Sequence, residues 1–362
     1  MRIGIFCNHS KPLMGGCEKI VDLISSSMVN DFGHKCTVMS ISLKNSYVSS
    51  GVQYIPCPTN QDEFLNIFRS KIFDYIFVYS DCFCHYQLII KNRDQIPCNV
   101  GVSLVGASTT TKLGMDKCDN VNYLVHSNIG ADFDWCTFHG IRPAIIPNGV
   151  DFMEFKSNGT SFKDKYGITT GKMILCVSNF FPGKGQLYLP DICRDIYWRY
   201  RDFTLVCVNS TGLPMTAIYR EKLKNVLRVE DFSSIILTDI SREDVIDAFI
   251  DADVFLFPSQ KEVAPLVILE AMASKTPWVS LPVGNTRELK GGIIVANENI
   301  SIVNMSYIFT DLVQKRFSDS VYKILSDNEL SCKLASEGYD NVVSNYSWDK
   351  VKVMYNKFFS GD

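Results

Sequence analysis

Residues 257–273 read Phe257-Pro-Ser-Gln-Lys-Glu-Val-Ala-Pro-Leu-Val-Ile-Leu-Glu-Ala-Met-Ala273, and this stretch constrains the fold most strongly. Pro265 suits the first turn of a helix, where its missing N–H is not needed. From there the residues are apolar on every side except Glu270, which predicts a buried helix. The apolar run 254–258 precedes it, so the stretch predicts a strand, a loop and a buried helix in succession.

The same alternation of apolar runs and helical patterns extends outward over nearly the whole chain. Runs rich in β-branched and aromatic residues lie in the first half at Ile3–Cys7, Cys36–Ser42, Tyr75–Tyr79, Cys98–Leu104, Tyr123–His126 and Ala144–Pro147. In the second half they lie at Met173–Ser178, Phe203–Val208, Ile235–Thr238, Val254–Pro258, Pro277–Ser280 and Ile293–Val295. Continuous apolar strands alternating with helices predict an α/β fold with parallel sheets covered on both faces.

Two such series predict two Rossmann-like domains, as does a length of 362 residues. A turn signal at Pro147-Asn-Gly-Val-Asp151, followed by a polar stretch, marks the boundary between them. Locally, Ser241-Arg-Glu-Asp244 has the spacing of a capping box and predicts a helix through about Asp251. Gly33 occupies the C-terminal cap position of a helix predicted from about Glu18 to Phe32. From Asn304 onward the sequence is predicted to be helical.

Composition excludes several classes of protein. An apolar fraction of 46% and a charged fraction of 21% are those of an ordinary globular protein, not of a disordered chain, a collagen-like fibre or a coiled-coil rod. The net charge is −3, with 12 basic and 12 acidic residues in positions 1–150, so no strong field indicates a nucleic-acid partner. No apolar run is long enough for a transmembrane helix.

The cysteines indicate the compartment. There are 13 of them, an odd number, scattered and mostly within apolar runs, which favours buried thiols in a reducing environment over a disulfide framework. The amino terminus has too short an apolar run for a signal peptide. We therefore expect a cytoplasmic protein, and peripheral attachment to a membrane stays open.

Glu270 is the first candidate for a functional role. A carboxylate in a buried helix needs a partner, because an unpaired buried charge is very costly. A vicinal diol such as a ribose would satisfy its two oxygens, and so would an arginine or lysine of the same chain. The residue types leave both alternatives open.

Glu262 and the start of the predicted helix form a second candidate. The first amides of the helix, at Leu266 and Val267, lack intrahelical partners and attract phosphate. Glu262 lies in the loop just before them. One short segment could thus hold a diphosphate at its start and a ribose farther in, although a solvated loop carboxylate is the simpler interpretation of Glu262 alone.

Two strand-to-helix connections are further anion-binding candidates. Ser178-Asn-Phe-Phe-Pro-Gly-Lys-Gly185 follows a predicted strand, where open α/β sheets bind ligands, and Lys184 supplies a mobile positive charge. Leu13-Met-Gly-Gly-Cys-Glu-Lys19 occupies an equivalent place in the first domain, where Gly15 and Gly16 let the backbone approach a ligand closely. In both segments a plain tight turn is the alternative.

Two other features carry weaker signals. Asp251-Ala-Asp253 has the form of a metal-binding D-x-D tripeptide, but it joins a predicted helix to a strand, so a structural role is favoured. His126 ends a predicted strand, and for it a capping or packing role is favoured over catalysis.

Taken together, these segments resemble the family 4 glycosyltransferases, retaining enzymes with a GT-B fold. The resemblance covers Gly15-Gly16-x-Glu18, Ile146-Pro-Asn-Gly-Val-Asp151, Pro182-x-Lys184-Gly185, Pro258-Ser259 with Glu262, and then Glu270-Ala-Met-Ala after seven residues. Gly284-Asn-Thr-Arg-Glu288 and the closing Ser347-Trp348 helix complete it.

The resemblance implies a domain plan. It consists of an acceptor domain at 1–155, a donor domain at 156–340 and a helix at 341–362 that packs back on the first domain, with a central cleft between the domains.

The resemblance also implies roles for the matched residues. Glu270 would bind the ribose of a nucleotide sugar, and Lys184 with the amides of Leu266 and Val267 would hold its diphosphate. Glu262 would contact the transferred sugar, and Gly16, beside Gly15, would face the donor phosphate. It implies neither a metal nor another cofactor, and as partners it implies a UDP- or GDP-sugar and a glycan, glycolipid or protein acceptor.

The sequence departs from the family pattern at three positions. Asn179 stands where an arginine is usual, Pro265 where a glycine is common, and Ser103 where an active-site histidine is frequent. Ser103 and His126 are then candidate contacts to the acceptor or sugar. These departures leave two alternatives to a transferase open, namely a nucleotide-sugar-binding protein without transferase activity and another GT-B enzyme such as a nucleotide-sugar epimerase.

Overall fold

The computed structural model describes residues 1–11, 15–58, 60–70, 73–79, 83–105, 117–156, 159, 161–209, 214–295, 302–303 and 306–361. The chain divides into two compact units. The first contains Met1–Asn148 and Asp349–Asp362, and the second contains Gly149–Trp348.

The first unit contains one eight-stranded sheet in the order β3-β4-β2-β1-β5-β6-β7-β8, parallel except for the β3–β4 pair. Its strands are β1 Arg2–Cys7, β2 Lys35–Ser40, β3 Tyr47–Ser49, β4 Val52–Pro56, β5 Tyr75–Tyr79, β6 Asn99–Leu104, β7 Asn122–Val125 and β8 Ala144–Ile145. Its helices are α1 Gly16–Asn30, α2 Gln61–Ser70, α3 Phe83–Lys91 and α4 Ala131–Phe138.

The second unit contains a parallel six-stranded sheet in the order β11-β10-β9-β12-β13-β14 and a small antiparallel pair, β15–β16. Its strands are β9 Lys172–Val177, β10 Phe203–Asn209, β11 Ser233–Thr238, β12 Val254–Phe257, β13 Trp278–Ser280, β14 Gly292–Ile294, β15 Ile302–Val303 and β16 Ser306–Tyr307. Its helices are α5 Phe162–Lys165, α6 Leu189–Tyr197, α7 Pro214–Leu227, α8 Arg242–Asp251, α9 Leu266–Ala273, α10 Asp311–Ser326 and α11 Asn328–Asn345. A last helix, α12 Trp348–Ser360, extends into the first unit.

The predicted α/β class with two parallel sheets is confirmed. Strand β5 consists of five buried residues, as expected for a strand covered on both faces. The predicted capping box starts α8, where the hydroxyl of Ser241 accepts a hydrogen bond from the amide of Asp244 at 3.1 Å. Gly33 has φ of +68° beyond α1, and its amide donates to Val29, as a C-terminal cap requires.

Three details differ from the sequence-based expectations. Strands β3 and β4 were not predicted, because they are short and lack a continuous apolar run. The chain after 304 begins with β16 before the helices start. Pro265 is the N-cap of α9, one position before the helix.

The contacts place the junctions between the units at 148/149 and 348/349, against the predicted 155/156 and 340/341. Residues 149–155 lie with the second unit for two reasons. Val150 forms a parallel bridge with Ser347, and Glu154 pairs with Arg242 at 2.9 Å. The role of each domain stays a prediction.

The predictions of buried free cysteines and of no transmembrane helix can be compared with the described residues. Eleven cysteines there are free thiols, and most of them are buried. Burial raises the pKa of several of these thiols, for example that of Cys176 to about 12, so they stay protonated near neutral pH. None of the described helices is long and apolar enough to cross a bilayer.

Helix α12 is attached to the first unit by aromatic packing. The ring of Phe77, in β5, lies 5.4 Å from that of Phe359 and 6.0 Å from that of Phe358 between centroids. Tyr355 also packs edge-on against Phe77. Large buried aromatic groups in such tilted arrangements are strongly stabilising.

We predict that Phe77→Ala lowers the free energy of unfolding by about 3–5 kcal/mol, because it leaves a cavity between β5 and α12. Urea unfolding followed by circular dichroism measures the change. Phe138→Ala is the matched control, since Phe138 is 85% exposed, and we expect it to change stability by less than about 0.5 kcal/mol. Equal losses in the two variants would contradict this account of the packing.

Candidate active site

The candidate site in the second unit forms where β9 and β12 end. These strands are neighbours in the parallel sheet, so the loops that follow them lie along the same edge. The loop after β9 carries Asn179 and Lys184, and the loop after β12 carries Glu262.

The first of these loops begins with a tight turn. The amide of Lys184 donates to the carbonyl of Phe181 at 3.1 Å, and Gly183 has φ of +92°. Proline at the second position and glycine at the third are the residues that a type II turn requires. Gly185 then adopts a left-handed conformation, with φ of +75°, at the start of a 3₁₀ turn.

The two loops are packed backbone to backbone. A Cβ on Gly185 would lie 2.1 Å from the carbonyl oxygen of Pro258, so that no larger residue fits there without a shift. The amide of Gln260 donates to the carbonyl of Gly183 at 2.7 Å. This packing sets the position of Lys184 relative to the second loop.

Lys184 and Glu262 meet across these loops. The ammonium nitrogen of Lys184 donates to Glu262 Oε1 at 2.5 Å, and the hydroxyl of Ser259 donates to the same oxygen at 2.6 Å. The Glu262 side chain is 14% exposed. The interpretation of Glu262 as a solvated loop carboxylate is therefore wrong.

Further hydrogen bonds and close packing hold the two loops that carry Lys184 and Glu262. The fully buried Gln186 donates from its amide nitrogen to the Ser178 hydroxyl at 2.6 Å and to the Asn179 carbonyl at 2.7 Å. Gly284 lies so close to the carbonyl of Val263 that a Cβ would be 2.2 Å from it. Sequence reasoning missed Gln186, although its place directly after the turn could have indicated it.

Helix α9 begins four residues after Glu262. Pro265 caps it without a side-chain hydrogen bond, and the amide of Ile268 donates to the Pro265 carbonyl at 3.3 Å. Leu266 and Val267 supply the first amides of the helix, as predicted. These amides and the helix dipole create a partial positive charge at the carboxyl edge of the sheet.

Glu270 lies one turn farther along α9 and has an arginine partner. Its side chain is 6% exposed, and Arg242 donates to Glu270 Oε1 at 2.6 Å and to Glu154 Oε2 at 2.9 Å. Burial lowers the pKa of the Arg242 guanidinium, but the charges of Glu270 and Glu154 outweigh this effect and raise it overall. Of the two alternatives for Glu270, the ion pair is present. Sequence reasoning did not identify Arg242, because nothing links the start of α8 to α9 in the sequence.

The D-x-D tripeptide has structural partners. Asp251 accepts from the hydroxyl of Ser161 at 2.9 Å and from the amide of Lys163 at 3.0 Å, and Asp253 pairs with Lys163 and Lys172. These contacts fix the start of α5 against the sheet. The structural interpretation of this tripeptide is confirmed.

The remaining candidates lie in the first unit. Gly15 is the N-cap of α1 and Gly16 its first, exposed residue, while residues 12–14 of the same segment lie outside the described residues. A Cβ on Gly15 would lie 2.5 Å from Glu18 Oε2, so the glycine leaves room for the Glu18 carboxylate at the helix start. The segment is thus a helix start, which is the place for an anion.

Ser103 and His126 are buried and bonded to each other. Their Oγ and Nε2 atoms lie 2.9 Å apart, and His126 Nδ1 lies 2.9 Å from the carbonyl oxygen of Ile146. Because a carbonyl only accepts, Nδ1 carries the proton and Nε2 accepts from Ser103. Burial lowers the pKa of His126 to about 4, which keeps the imidazole neutral. The pair connects β6, β7 and the segment after β8.

A comparison with known protein families finds a match in the part of the chain that contains the candidate site. Residues 171–306 match the sequence model of the family described as "Glycosyl transferases group 1". The matched residues lie within the second unit. They include the candidate-site residues Lys184, Glu262 and Glu270.

Whole-chain similarity gives the fold. The structure of sucrose-phosphate synthase from Thermosynechococcus elongatus superposes with a TM-score of 0.78 at 14% identity, over 100% of both chains. The Anabaena protein HepE in complex with UDP-glucose gives 0.77 at 14% identity, again over 100% of both chains. The chain has the GT-B fold.

One curated relative is similar to this chain over more residues than the family model matches. The UDP-Gal:alpha-D-GlcNAc-diphosphoundecaprenol alpha-1,3-galactosyltransferase of Escherichia coli is 27% identical over 226 residues, which are 59% of this chain and 54% of that protein. The chain spans between about a third and about a half of the length of the curated relatives it matches.

We predict that Gly185→Ala lowers the free energy of unfolding by about 1–3 kcal/mol more than Gly183→Ala does. Both residues have positive φ, so both variants strain the backbone to a similar degree. A Cβ on Gly185 meets Pro258, whereas a Cβ on Gly183 meets nothing within 4 Å. Urea unfolding of both variants measures the difference, and equal losses would disprove the proposed packing between the two loops.

We also predict a pH dependence of stability from His126. The unfolded chain binds a proton there near pH 6.5 and the folded chain near pH 4, so the unfolded state binds more protons between these values and stability falls as pH falls. The expected loss between about pH 7 and about pH 5 is about 2 kcal/mol. His126→Gln, compared by urea unfolding at both pH values, should lack this part of the loss. The same loss in the variant would contradict the assignment.

Proposed function

We propose that the chain is a retaining glycosyltransferase that transfers a hexose-type sugar from a UDP- or GDP-sugar to an acceptor. The acceptor is a glycan, glycolipid or protein, in the synthesis of surface polysaccharide or another glycoconjugate. The observation that carries the proposal is the Lys184–Glu262 pair at the start of α9, within a group 1 glycosyltransferase domain. The donor named for the Escherichia coli relative and the UDP-glucose bound to HepE support a UDP-sugar.

The diphosphate of the donor would bind to the Lys184 ammonium and to the first amides of α9. The ammonium of Lys184 has three N–H donors, of which one is used by Glu262, and the amides of Leu266 and Val267 supply uncharged donors. As the nucleoside diphosphate departs, negative charge grows on it. Donors that are already in place stabilise this charge without reorganisation. Asn179 adds a polar group where an arginine is usual in the family.

Glu270 would bind the ribose. A carboxylate has about four lone-pair sites, so Oε1 can accept from Arg242 while the group also accepts from vicinal hydroxyls. Arg242 keeps the carboxylate charged and oriented, and Glu154 holds Arg242 in turn. The ion pair and the ribose are therefore compatible partners of the same side chain.

Glu262 would contact the transferred sugar near its anomeric carbon, because its oxygen already lies beside the ammonium that holds the diphosphate. In the retaining mechanism, the leaving phosphate oxygen accepts the proton of the acceptor hydroxyl on the same face of the sugar. No protein base and no metal ion are then required. We assign acceptor binding to the first unit, with Gly15 and Gly16 as the contact to the donor phosphate and with Ser103 and His126 as supporting residues below the acceptor surface.

The experiment is incubation of the purified chain with UDP-, GDP- and ADP-sugars, with and without glycan and lipid-linked acceptors. Transfer, or slow hydrolysis, of a UDP- or GDP-sugar with retained anomeric configuration supports the proposal. Absence of binding and of turnover across the set would overturn it. Binding without turnover would instead favour the nucleotide-sugar-binding protein, and a modified sugar still attached to its nucleotide would indicate an epimerase.

For the active protein we predict that Lys184→Ala lowers kcat/KM roughly 10²–10³-fold, because the leaving diphosphate loses a charged donor. Steady-state kinetics measures the effect, with the nucleotide sugar that the incubation experiment identifies as the donor. Lys333→Ala is the matched control, since Lys333 is an exposed lysine of α11 that pairs with Glu337 at 4.0 Å. A similar loss in both variants, or unchanged kinetics in Lys184→Ala, would argue against the assignment of Lys184.

A further inference from the structure

A second basic site lies on the outer edge of the second unit, in the groove between α7 and β11. The groove has a volume of about 660 Å³. That volume falls within the range of small-molecule sites. Strand β11 is the edge of the six-stranded sheet, paired on one side with β10. We call this feature the edge groove.

Three cations line the edge groove in a row. Arg220, Lys224 and Arg228 are four residues apart, so their side chains project from one face of the helix and its last turn over about 12 Å. Glu221 also lines the groove, and three positive charges with one negative charge leave a net charge of +2.

These cations have no ionic partner among the residues that the structure describes, since no carboxylate oxygen there lies within 4.0 Å of their charged nitrogens. By contrast, the neighbouring Arg194 pairs with Glu230 at 2.5 Å and Arg199 pairs with Asp195 at 2.7 Å. A row of unpaired cations beside a groove attracts anions.

Strand β11 contributes neutral donors on the opposite wall. Ser233, Ser234 and Thr238 line the groove, and Arg220 Nη1 donates to Thr238 Oγ1 at 3.5 Å. Because β11 is an edge strand, alternate backbone N–H groups point away from the sheet. Cations on one wall and uncharged donors on the other are the groups that surround phosphate oxygens in proteins.

We propose that the edge groove binds a ligand with several closely spaced phosphate groups. A single charge would neutralise one of the three cations, whereas a row of phosphates matches all of them. The ligand is either a soluble polyphosphorylated molecule or the phosphate headgroups of an anionic lipid surface. This site is separate from Lys184 and Glu262 and does not depend on the function proposed for them.

Two probes distinguish the sources of phosphate. The first is inorganic tripolyphosphate, titrated into the full chain by calorimetry. The second is sedimentation with vesicles of phosphatidylcholine, alone or mixed with phosphatidylglycerol. Binding of tripolyphosphate identifies a soluble ligand, and binding to the anionic vesicles alone identifies lipid headgroups. Either result supports the proposal when the variants described next place the binding in the edge groove, and either binding should weaken as salt increases.

The variants locate the binding. Lys224→Gln should weaken it roughly fivefold, and the triple change Arg220→Gln, Lys224→Gln, Arg228→Gln more than about tenfold. Lys222→Gln is the matched control, because Lys222 lies on the same helix outside the groove, and it should bind like the wild type. Lys184→Ala should keep the part of the binding that the triple change removes, which separates the edge groove from the proposed donor site.

Three results would overturn the proposal. They are no binding of either probe, equal losses in Lys222→Gln and Lys224→Gln, and binding that disappears in Lys184→Ala but persists in the triple variant. If the triple variant forms dimers while the wild type binds neither probe, the cations serve instead to keep another chain from pairing with the edge of β11.

Discussion

The ion pair between Lys184 and Glu262 is the contact on which the candidate site depends. The loops that carry it follow neighbouring parallel strands, and they are locked together where Gly185 packs on Pro258. Glu262 is largely buried, and its carboxylate would be costly to bury without Lys184 and Ser259. The pair therefore holds a positive charge in a fixed place at the carboxyl edge of the sheet, next to the start of α9.

Much of the fold could be predicted from the sequence because parallel strands buried on both faces are continuous apolar runs. Strand β5 was predicted with its bounds, and most other predicted strands lie within two residues of those observed. Strand β3 escaped prediction because it is a short, partly exposed strand at the sheet edge, and β4 escaped it because the exposed Gln53 interrupts its apolar run. The junctions between the units were harder to place, since they depend on contacts such as Glu154 with Arg242 between residues distant in the sequence.

The candidate site was predictable to the extent that single segments encode it. Lys184 follows a turn that its own Pro-Gly specifies, and α9 is apolar apart from Glu270. The partners of these side chains could not be predicted, because ion pairing depends on which elements pack together. Arg242 starts another helix yet meets Glu270, and Gln186 bonds back to the end of β9.

The most direct test of the central claim is hydrogen–deuterium exchange of the full chain with and without saturating UDP or GDP. The account predicts slower exchange in two segments, 178–186 and 259–268, because the diphosphate would bind the amides of α9 and immobilise the turn before Lys184. Unchanged exchange in both segments at ligand saturation would contradict it, as would protection confined to 220–238 in the edge groove.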